Sequence, residues 1–451
     1  MDATRNWVSE RLASFGERIA LIADGQQYSF NQILEAMTSW DDILQRQGIG
    51  RHTVIVNGDY TPITIGAMLA LYRRGGVVVP LNRADAAKCA AVARCTSASY
   101  LIDTETFQAP WALSASEPLH ELVLGLFEAR EAGLILLSSG SSGEPKAILL
   151  ALDRLFAKYR DIQRFQPRTT AAFLLFDHIG GFNTLLHCLL TGATLVRLDS
   201  RDPARICAQI ARHRIQLLPA TPTFLNMLLW GRVYEQYDLS SLELVTYGTE
   251  TMPESTLASM VKVFPGVRLK QTYGMSELGI LATRSEADDS LWIQIGGDGV
   301  EVKVLDQILW VKARTAMLGY LNAPSVIDAD GWLCTGDLVE RRGDYFRILG
   351  RGENLINVGG LKVLPVEVES QLLQLAFIKD VVVWGRRSPV TGQIVAATVV
   401  TDATLEPAEA KRQITLHCQQ RLDDYKVPRH IEFATGQLHS ERFKKLKVAQ
   451  Q

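Results

Sequence analysis

The run Ser138–Lys146 combines glycine and hydroxyl residues with a single basic side chain. It reads SSGSSGEPK and lies between two apolar segments, GLILL and AILL, that predict buried strands. Successive small residues can turn backbone N–H groups and hydroxyls toward an anion, and the lysine adds a positive charge. A Walker A loop has its lysine directly after a glycine, but here Glu144 and Pro145 separate Gly143 from Lys146. By itself the run predicts either an anion-binding loop or a solvated turn.

Three further polar motifs follow this loop in the chain. The first, QTYGMSELG at 271–279, places an aromatic ring, a hydroxyl and a carboxylate in one short turn. The second, GWLCTGDLVE at 331–340, has Asp337 after a glycine at the end of an extended run, where a carboxylate can hold ribose hydroxyls. The third, RILGRGENLINVGGLKVLPVEVE at 347–369, reads as a hinge rich in glycine and charge.

In this order the four motifs resemble those of the adenylate-forming superfamily, which includes acyl- and aryl-CoA ligases, peptide-synthetase adenylation domains and luciferases. The family pattern is [ST]SG[ST]TGxPK, then YGxTE, TGD and GR. This chain has SSGSSGEPK, YGMSE, TGD and GR, with serine in place of threonine at Ser142 and Ser276. Both replacements keep a hydroxyl, and the resemblance covers nearly the whole chain.

The resemblance implies a role for each matching residue. The phosphate loop would close over the β- and γ-phosphates of ATP; its predicted contacts are Ser138, Ser139, Gly140, Ser141, Ser142, Gly143 and Lys146. The YGTE segment would line both nucleotide and acid through Gly248, Thr249 and Glu250, with Thr272, Tyr273 and Gly274 beside the adenine and Tyr273 stacked on it. Ser276 would contact the α-phosphate and Glu277 would bind Mg²⁺. Asp337 would hold the ribose, and Arg351 the ribose or the phosphates.

The last family motif, PRTxxGKxxR, is the least well preserved. The tail LHSERFKKLKV at 438–448 has Phe443 where the family has glycine. Alignment by spacing places Lys444 on the catalytic lysine, with Lys445 as its neighbour. A mobile lysine that meets charge developing at phosphorus would stabilise the transition state electrostatically.

Two adjacent residues lead to different predictions for the acid. Asp177 follows Phe176 in LLFDHIGGFNTLL (174–186), as does the aspartate that binds the α-amino group in amino-acid-activating relatives. His178 instead matches the aromatic gate of acyl- and aryl-CoA ligases, and its inward position would favour a neutral aryl or acyl acid. The segment IGGFN lacks the run typical of the amino-acid group, which favours the aryl or acyl interpretation. The other predicted pocket residues are Phe182, Tyr247 and Ile280.

The family's second half-reaction transfers the acyl group to a thiol after the small domain rotates. Glu353 matches the hinge, and Gly359 and Gly360 would face the tunnel for the pantetheine arm. The chain shows no carrier segment with a phosphopantetheine-bearing serine, so we expect CoA or a separate acyl carrier protein as acceptor. The basic GRR at 385–387 is a candidate for the CoA 3′-phosphate or a solvated turn.

Patterning predicts two domains. Strands alternate with helices over the first two-thirds, as in TPITIGAMLALYRRGG (61–76) followed by VVVPL, which predicts layered α/β sheets, mainly parallel. The run DGVEVKVLDQILWVKART (298–315) predicts a small, antiparallel, barrel-like part. The remainder predicts a mobile α+β domain. The predicted domains are 1–351, for ATP and acid binding, and 352–451.

Composition narrows the remaining function classes. With 47 basic and 49 acidic residues, the net charge of −2 gives no general attraction to nucleic acid. No apolar run is long enough for a signal peptide or a membrane span, and six cysteines without metal-like spacing suggest free thiols. We expect a cytoplasmic AMP-forming ligase that uses ATP and Mg²⁺. The alternatives are an amino-acid-activating enzyme and a nucleotide-binding homologue that has lost catalysis.

Overall fold

The structure is a computed structural model that describes residues 5–106, 110–113, 118–138, 145–162, 166–402, 405–436 and 438–439. The helices in these ranges are α1 Asn6–Phe15, α2 Phe30–Arg46, α3 Pro62–Arg73, α4 Ala86–Thr96, α5 Glu121–Glu128, α6 Leu152–Arg160, α7 Ile179–Thr191, α8 Pro203–His213, α9 Pro222–Gly231, α10 Glu254–Val263, α11 Pro365–Leu372 and α12 Pro407–Gln419.

The strands in the first part of the chain, which form its α/β layers, are β1 Ile19–Ala23, β2 Gln26–Ser29, β3 Thr53–Gly58, β4 Val77–Asn82, β5 Tyr100–Asp103, β6 Trp111–Ala112, β7 Gly133–Ser138, β8 Lys146–Ala151, β9 Thr170–Ala172, β10 Leu195–Arg197, β11 Leu217–Ala220, β12 Leu244–Tyr247 and β13 Arg268–Gln271.

The later strands are β14 Tyr273–Met275, β15 Gly279–Ser285, β16 Trp292–Gly296, β17 Val300–Leu305, β18 Ile308–Ala313, β19 Gly319–Tyr320, β20 Leu333–Arg342, β21 Tyr345–Arg351, β22 Ile356–Val358, β23 Leu361–Val363, β24 Ile378–Ser388, β25 Gly392–Thr401 and β26 His430–Phe433.

Two sheets form the α/β layers of the large domain. Their strand orders are β13-β12-β11-β9-β10-β1-β2 and β19-β8-β7-β4-β3-β5-β6. In the first, every pair except β1–β2 is parallel; in the second, β7, β4, β3 and β5 pair in parallel, and the outer pairs β19–β8, β8–β7 and β5–β6 are antiparallel. Val77 to Val79 of β4 and Val54 to Val56 of β3 are completely buried, as expected for strands covered by helices on both faces. The predicted layered α/β architecture is therefore confirmed.

The barrel-like part is an antiparallel sheet with the order β14-β15-β16-β21-β20-β18-β17. Its first strand, β14, starts two residues after β13 ends, so the chain passes directly from the parallel sheet into this one. The YGMSE motif lies at that junction. The sheet thus brings motifs that are distant in sequence to one edge of the parallel layers.

The C-terminal region has its own sheet and core. The strand order is β23-β22-β25-β24, with β26 parallel to β25. Helices α11 and α12 supply buried Val368, Leu372 and Ile414 to its apolar cluster. The predicted boundary after Arg351 coincides with the end of β21, where a short 3-10 turn, Gly352–Asn354, leads to β22. None of the helices in the described ranges is long and apolar enough to cross a bilayer.

Candidate active site

The β7–β8 hairpin presents the glycine-rich loop. Ser138, the last residue of β7, pairs with Lys146, the first of β8, while Ser139, Gly140, Ser141, Ser142 and Gly143 lie outside the described residues. Asn322 holds the segment that leaves the loop, because its side chain accepts from Ala147 N at 2.8 Å and donates to Pro145 O at 2.9 Å. The base of the predicted phosphate loop is thus fixed on its β8 side.

A tight β14–β15 hairpin explains the two glycines of YGMSELG. A Cβ at Gly274 would lie 2.3 Å from the Gly279 carbonyl oxygen, so the two strands could not approach in this way. Gly279 itself has φ +75°, a conformation that side chains disfavour. The hairpin places Ser276 and Glu277 in its turn, and Ile280 opposite Gly274.

Glu277 is buried and is held by Tyr320. The Tyr320 hydroxyl donates to Glu277 Oε1 at 2.8 Å, and Lys146 Nζ lies 5.0 Å from the centre of the Tyr320 ring. Tyr320 reaches this position because β19 pairs with β8, the strand that Lys146 begins. Burial, together with the Glu277 charge, raises the pKa of Tyr320. The phenol therefore remains a hydrogen-bond donor at neutral pH.

Asp337 is the centre of a second polar group. Tyr273 donates to its Oδ2 at 2.7 Å, and Arg351 Nε lies 2.9 Å from its Oδ1. Arg351 also donates to Thr335 O at 2.6 Å, and the Thr335 hydroxyl accepts from Asp337 N at 3.1 Å. Burial raises the pKa of Asp337, and the Arg351 charge opposes that rise. The predicted ribose residue and the predicted stacking aromatic are thus in direct contact.

The two polar groups form one site. The Arg351 charge acts on the pKa of Tyr320, and the Glu277 charge acts on the pKa of Asp337. Such effects require proximity in a partly buried environment. The structure therefore gathers the second, third and fourth sequence motifs around the end of the β7–β8 hairpin.

Strain and close packing mark the YGTE segment. Thr249 has φ +70°, which is an outlier for a β-branched residue and is typical of functional sites. A Cβ at Gly248 would lie 2.6 Å from Thr272 Oγ1, and Thr272 N donates to Tyr247 O at 2.8 Å. Only a glycine therefore allows this segment to lie against Thr272.

Glu250 contacts a helix terminus. Its Oε2 accepts from the Thr223 hydroxyl at 2.7 Å and from Thr223 N at 3.2 Å, in the first turn of α9. A carboxylate is favourable there because the N-terminal N–H groups carry partial positive charge. The contact positions the YGTE segment, whereas contact with the nucleotide stays a prediction.

His178 begins α7 and Asp177 is buried beside it. The His178 ring accepts from Gly180 N at 3.2 Å through Nδ1, so the imidazole caps the helix. Burial raises the pKa of Tyr60 most strongly, and the charges of Asp177 and Arg201 also act on it, with opposite signs.

Phe182 and Tyr247 are buried in apolar surroundings. Phe182 packs between α3, α6 and α7 with Met68, Leu186 and other apolar side chains. Tyr247 is 1% exposed and belongs to the apolar cluster under α10 that includes Leu257. Apolar surroundings suit an aryl or acyl group, so contact of these two side chains with the substrate stays a prediction.

The predictions for the C-terminal region concern Glu353, two glycines and Lys444, and their roles stay predictions. Glu353 is in the turn after β21. Gly359 and Gly360, with φ +59° and +92°, form an exposed two-residue turn between β22 and β23, as hairpins of this length require. Lys444 lies outside the described residues, so its catalytic role stays a prediction.

Sequence reasoning missed Tyr320 and Asn322. Both lie in AMLGYLN (316–322), a short apolar run in which an aromatic and an amide are the polar groups. Their partners, Glu277 and the Pro145–Ala147 backbone, are 43 and about 175 positions distant. The feature of the sequence that could have pointed to them is a tyrosine directly after a glycine, with an asparagine two residues later, in an otherwise apolar run.

Comparison with known proteins identifies the class. Residues 8–321 match the family described as AMP-binding enzyme, and residues 367–445 match the AMP-binding enzyme C-terminal domain. The chain therefore belongs to the AMP-binding enzyme family, and the resemblance inferred from the four motifs is confirmed.

Individual relatives are ligases. A Rhodococcus jostii 3-[(3aS,4S,7aS)-7a-methyl-1,5-dioxo-octahydro-1H-inden-4-yl]propanoyl:CoA ligase is 32% identical over 272 residues, or 58% of this chain and 52% of the relative. A medium/long-chain-fatty-acid–[acyl-carrier-protein] ligase of Mycobacterium tuberculosis is 29% identical over 61% of this chain and 57% of the relative. The matches span about half to three-fifths of the length of these relatives.

Solved structures share the fold. The anthranilate CoA ligase AuaEII, crystallised with anthranoyl-AMP, superposes with a TM-score of 0.81 over 97% of this chain and 95% of its own, at 22% identity. At this identity the likeness establishes the architecture of a large N-terminal and a small C-terminal domain.

Proposed function

We propose that this protein activates a carboxylic acid with ATP and then transfers the acyl group to a thiol. The observation that carries the proposal is the joined polar site of Glu277, Tyr320, Asp337, Tyr273 and Arg351. It lies at the end of the hairpin that carries the predicted phosphate loop. The substrate oxygen attacks the α-phosphorus and pyrophosphate leaves; the thiol sulfur then attacks the acyl carbon and AMP leaves.

Each residue has a role that its contacts support. Asp337, oriented by Arg351 and Tyr273, accepts the ribose hydroxyls. Lys146 contributes positive charge to the phosphates, and the N–H groups of the loop supply further donors. Lys444 meets the charge that develops at the α-phosphate. No protein nucleophile is required, because the acyl-adenylate is the reactive intermediate.

The donor set fits Mg²⁺ held chiefly by the nucleotide. Among the described residues, no group of three or more acidic, histidine or cysteine side chains forms a metal cage. Glu277 has one oxygen bound by Tyr320, which leaves the other for a cation. Mg²⁺ in such sites takes one or two carboxylates plus phosphate oxygens. Bound there, it would neutralise phosphoryl charge.

The acid is an aryl or acyl acid rather than an amino acid. The relatives named as ligases of a ring-bearing propanoate and of medium- and long-chain fatty acids support this choice, because these acids carry no α-amino group. The helix cap made by His178 keeps the imidazole at the start of α7. An amino-acid-activating enzyme is the second candidate, and Asp177 is the residue that favours it.

The thiol acceptor is CoA or the phosphopantetheine of an acyl carrier protein. Relatives with either acceptor in their names support both. The exposed pair Arg386 and Arg387 on β24 suits a phosphate of either ligand. The two-domain division at 351/352 and a cytoplasmic location stay predictions.

Pyrophosphate release with MgATP across aryl, fatty and amino acids tests the proposal, with hydroxylamine to capture acyl-adenylates. We expect release with one acid class and a much slower rate for Lys444→Ala, with ATP binding retained. Lys445→Ala is the matched control for the tail alignment. If folded protein that binds ATP released no pyrophosphate with any of the acids, the result would favour a non-catalytic nucleotide-binding homologue.

A further inference from the structure

The segment TAMLGYLN at 315–322 joins the YGMSE turn to the β7–β8 hairpin. At its start, the Thr315 hydroxyl donates to Leu278 O at 2.7 Å. Met317 N donates to Glu277 O, also at 2.7 Å. Further along the segment, β19 pairs with β8. The segment is therefore attached to the YGMSE turn on one side and to the strand that leaves the phosphate loop on the other.

At the end of this segment, the Asn322 side chain continues the ladder between β19 and β8. Leu321 N donates to Ala147 O at 2.9 Å, as in a regular ladder. The Asn322 amide takes the next position: its Oδ1 accepts from Ala147 N at 2.8 Å and its Nδ2 donates to Pro145 O at 2.9 Å. A primary amide can do both at once, because it carries an acceptor oxygen and donor hydrogens like a backbone peptide group.

These two hydrogen bonds enclose Lys146. Pro145 and Ala147 are its direct neighbours in the chain, so the amide holds the backbone on both sides of the lysine. The proline ring also fixes its own φ, which removes one source of freedom. The lysine Nζ lies 5.0 Å from the centre of the Tyr320 ring. The backbone and the side chain of Lys146 are thus both held by residues of the segment 315–322.

The location of these bonds indicates a role in conformation rather than in stability. Asn322 and Pro145 are exposed. Water can satisfy polar groups at the surface, so hydrogen bonds there contribute little to the stability of the fold. They do restrict the backbone from which the Lys146 side chain extends. Restricting a binding group before its ligand arrives lowers the ordering cost of binding.

We propose that Asn322 is a positioning residue that holds Lys146 for the β- and γ-phosphates of ATP, and that it thereby sets the preference of the site for ATP over AMP. The inference rests on the proposed function and deepens it, because it names a residue that prepares the phosphate loop for the nucleotide. Asn322 acts through the backbone at Pro145 and Ala147. AMP lacks the two phosphates, so its binding does not depend on Asn322.

Binding of ATP and of AMP, measured by calorimetry with Mg²⁺ and without acid, tests the proposal. We expect Asn322→Ala to raise the Kd for ATP about 10-fold, because the nucleotide must then order the lysine itself. The Kd for AMP should change less than about twofold. Equal weakening of ATP and AMP binding would overturn the proposal.

Ser325→Ala is the matched control for the binding measurements. Ser325 is exposed and lies three residues after Asn322, and its hydroxyl bonds Ile327 within its own turn. This substitution should leave both affinities unchanged. A loss of ATP binding in Ser325→Ala as large as in Asn322→Ala would overturn the proposal, because any change in this loop would then suffice.

A double-variant cycle tests the route through Lys146. Lys146→Ala should itself weaken ATP binding, because it removes the positive charge. Adding Asn322→Ala to Lys146→Ala should raise the Kd for ATP less than about twofold further, because no lysine is left to position. Two losses that add fully would overturn the proposal, since Asn322 would then act by another route. AMP binding by each variant shows that it is folded.

Steady-state kinetics supply a readout that a purely structural role would not move. In pyrophosphate release, Asn322→Ala should raise the KM for ATP about 10-fold and leave the KM for the acid unchanged. A similar rise in both KM values would indicate a general disturbance of the site and would overturn the proposal. Failure of the proposed function has a different signature. Asn322-dependent preference for ATP over AMP, without pyrophosphate release with any acid, would refute only the catalysis.

Discussion

Tyr320 is the residue that connects the β7–β8 hairpin, the predicted metal-binding carboxylate Glu277 and the antiparallel sheet. Its hydroxyl binds Glu277 and its ring faces Lys146. A single side chain thus fixes the orientation of one carboxylate while it attracts the lysine to the ring face, an interaction that desolvation strengthens. Rigid support of this kind keeps charged groups ready for the transition state.

Removal of the Tyr320 hydroxyl tests this role. Tyr320→Phe keeps the ring over Lys146 but leaves Glu277 without its donor, so adenylation should slow by about 10- to 100-fold. The loss should be larger at low Mg²⁺, because Glu277 is less well oriented. Steady-state pyrophosphate release across Mg²⁺ concentrations measures it. Tyr345→Phe, in β21 of the antiparallel sheet, is the control; an equal loss there would contradict the assignment.

We expect the ionised Asp337 side chain to lower the stability of the folded protein and to strengthen ATP binding. Its pKa is raised in the folded protein, mainly by burial, so ionisation at neutral pH disfavours the folded state. Asp337→Asn should therefore melt no lower than the wild type at pH 7–8, and the difference should diminish as pH falls through the raised pKa. The same change should weaken ATP binding, because an anionic acceptor for the ribose is lost.

Thermal melts of both proteins across pH 4–8, with and without ATP, provide the check on Asp337→Asn. Other titrating groups cancel in the difference between the two melting temperatures. A variant that melts well below the wild type at pH 7.5 would show that the Arg351 ion pair outweighs the burial cost.

At the scale of elements, Asp153 at the start of α6 joins four segments. It accepts from Arg5 Nε at 2.9 Å, from Arg5 Nη2 at 2.8 Å, from the Tyr72 hydroxyl at 3.0 Å and from Ala132 N at 2.7 Å. The Arg5 side chain is only 2% exposed. These hydrogen bonds hold the residue before α1 against α3, α6 and the segment that leads into β7.

Asp153→Ala should destabilise the protein by roughly 3–5 kcal/mol, because the buried Arg5 charge loses the carboxylate that compensates it. The double variant Arg5→Met with Asp153→Ala should recover part of that loss. Urea denaturation of the two variants and the wild type measures it. A loss below about 1 kcal/mol in the single variant would mean that water replaces the carboxylate.

At the scale of the whole molecule, helices α9 and α10 of the large domain contact the C-terminal domain. Asn226 Nδ2 donates to Lys379 O at 3.0 Å, Lys379 Nζ lies 4.3 Å from the Trp230 ring centre, and Ser255 N donates to Ser370 Oγ at 3.1 Å. Contacts of this kind, between α9 or α10 and the C-terminal domain, resemble transient interfaces, which permit relative motion.

Trp230→Ala should loosen the C-terminal domain without unfolding either core. Cleavage by a protease at the 352–354 turn should become several-fold faster, since the turn then spends more time accessible. Lys262→Ala, on the exposed side of α10, is the matched control. An unchanged rate of cleavage would indicate that other contacts fix the domain orientation.

The sequence by itself determined the family, the order of the four motifs and the alternation of helices and strands. These properties are local: the YGMSELG hairpin depends on its own two glycines, and the buried strands on their own apolar runs. Asp337, Glu277 and Tyr273 could therefore be named from short patterns.

Only the tertiary structure decided which side chains face the site. Phe182 and Tyr247 belong to apolar clusters, whereas Asn183, on a different face of α7, accepts a hydrogen bond from Lys158. Tyr320 and Asn322 reach their partners through the pairing of β19 with β8. The physical reason is that a side chain's direction depends on how its helix or strand is rotated against the neighbouring layers, and non-local packing sets that rotation.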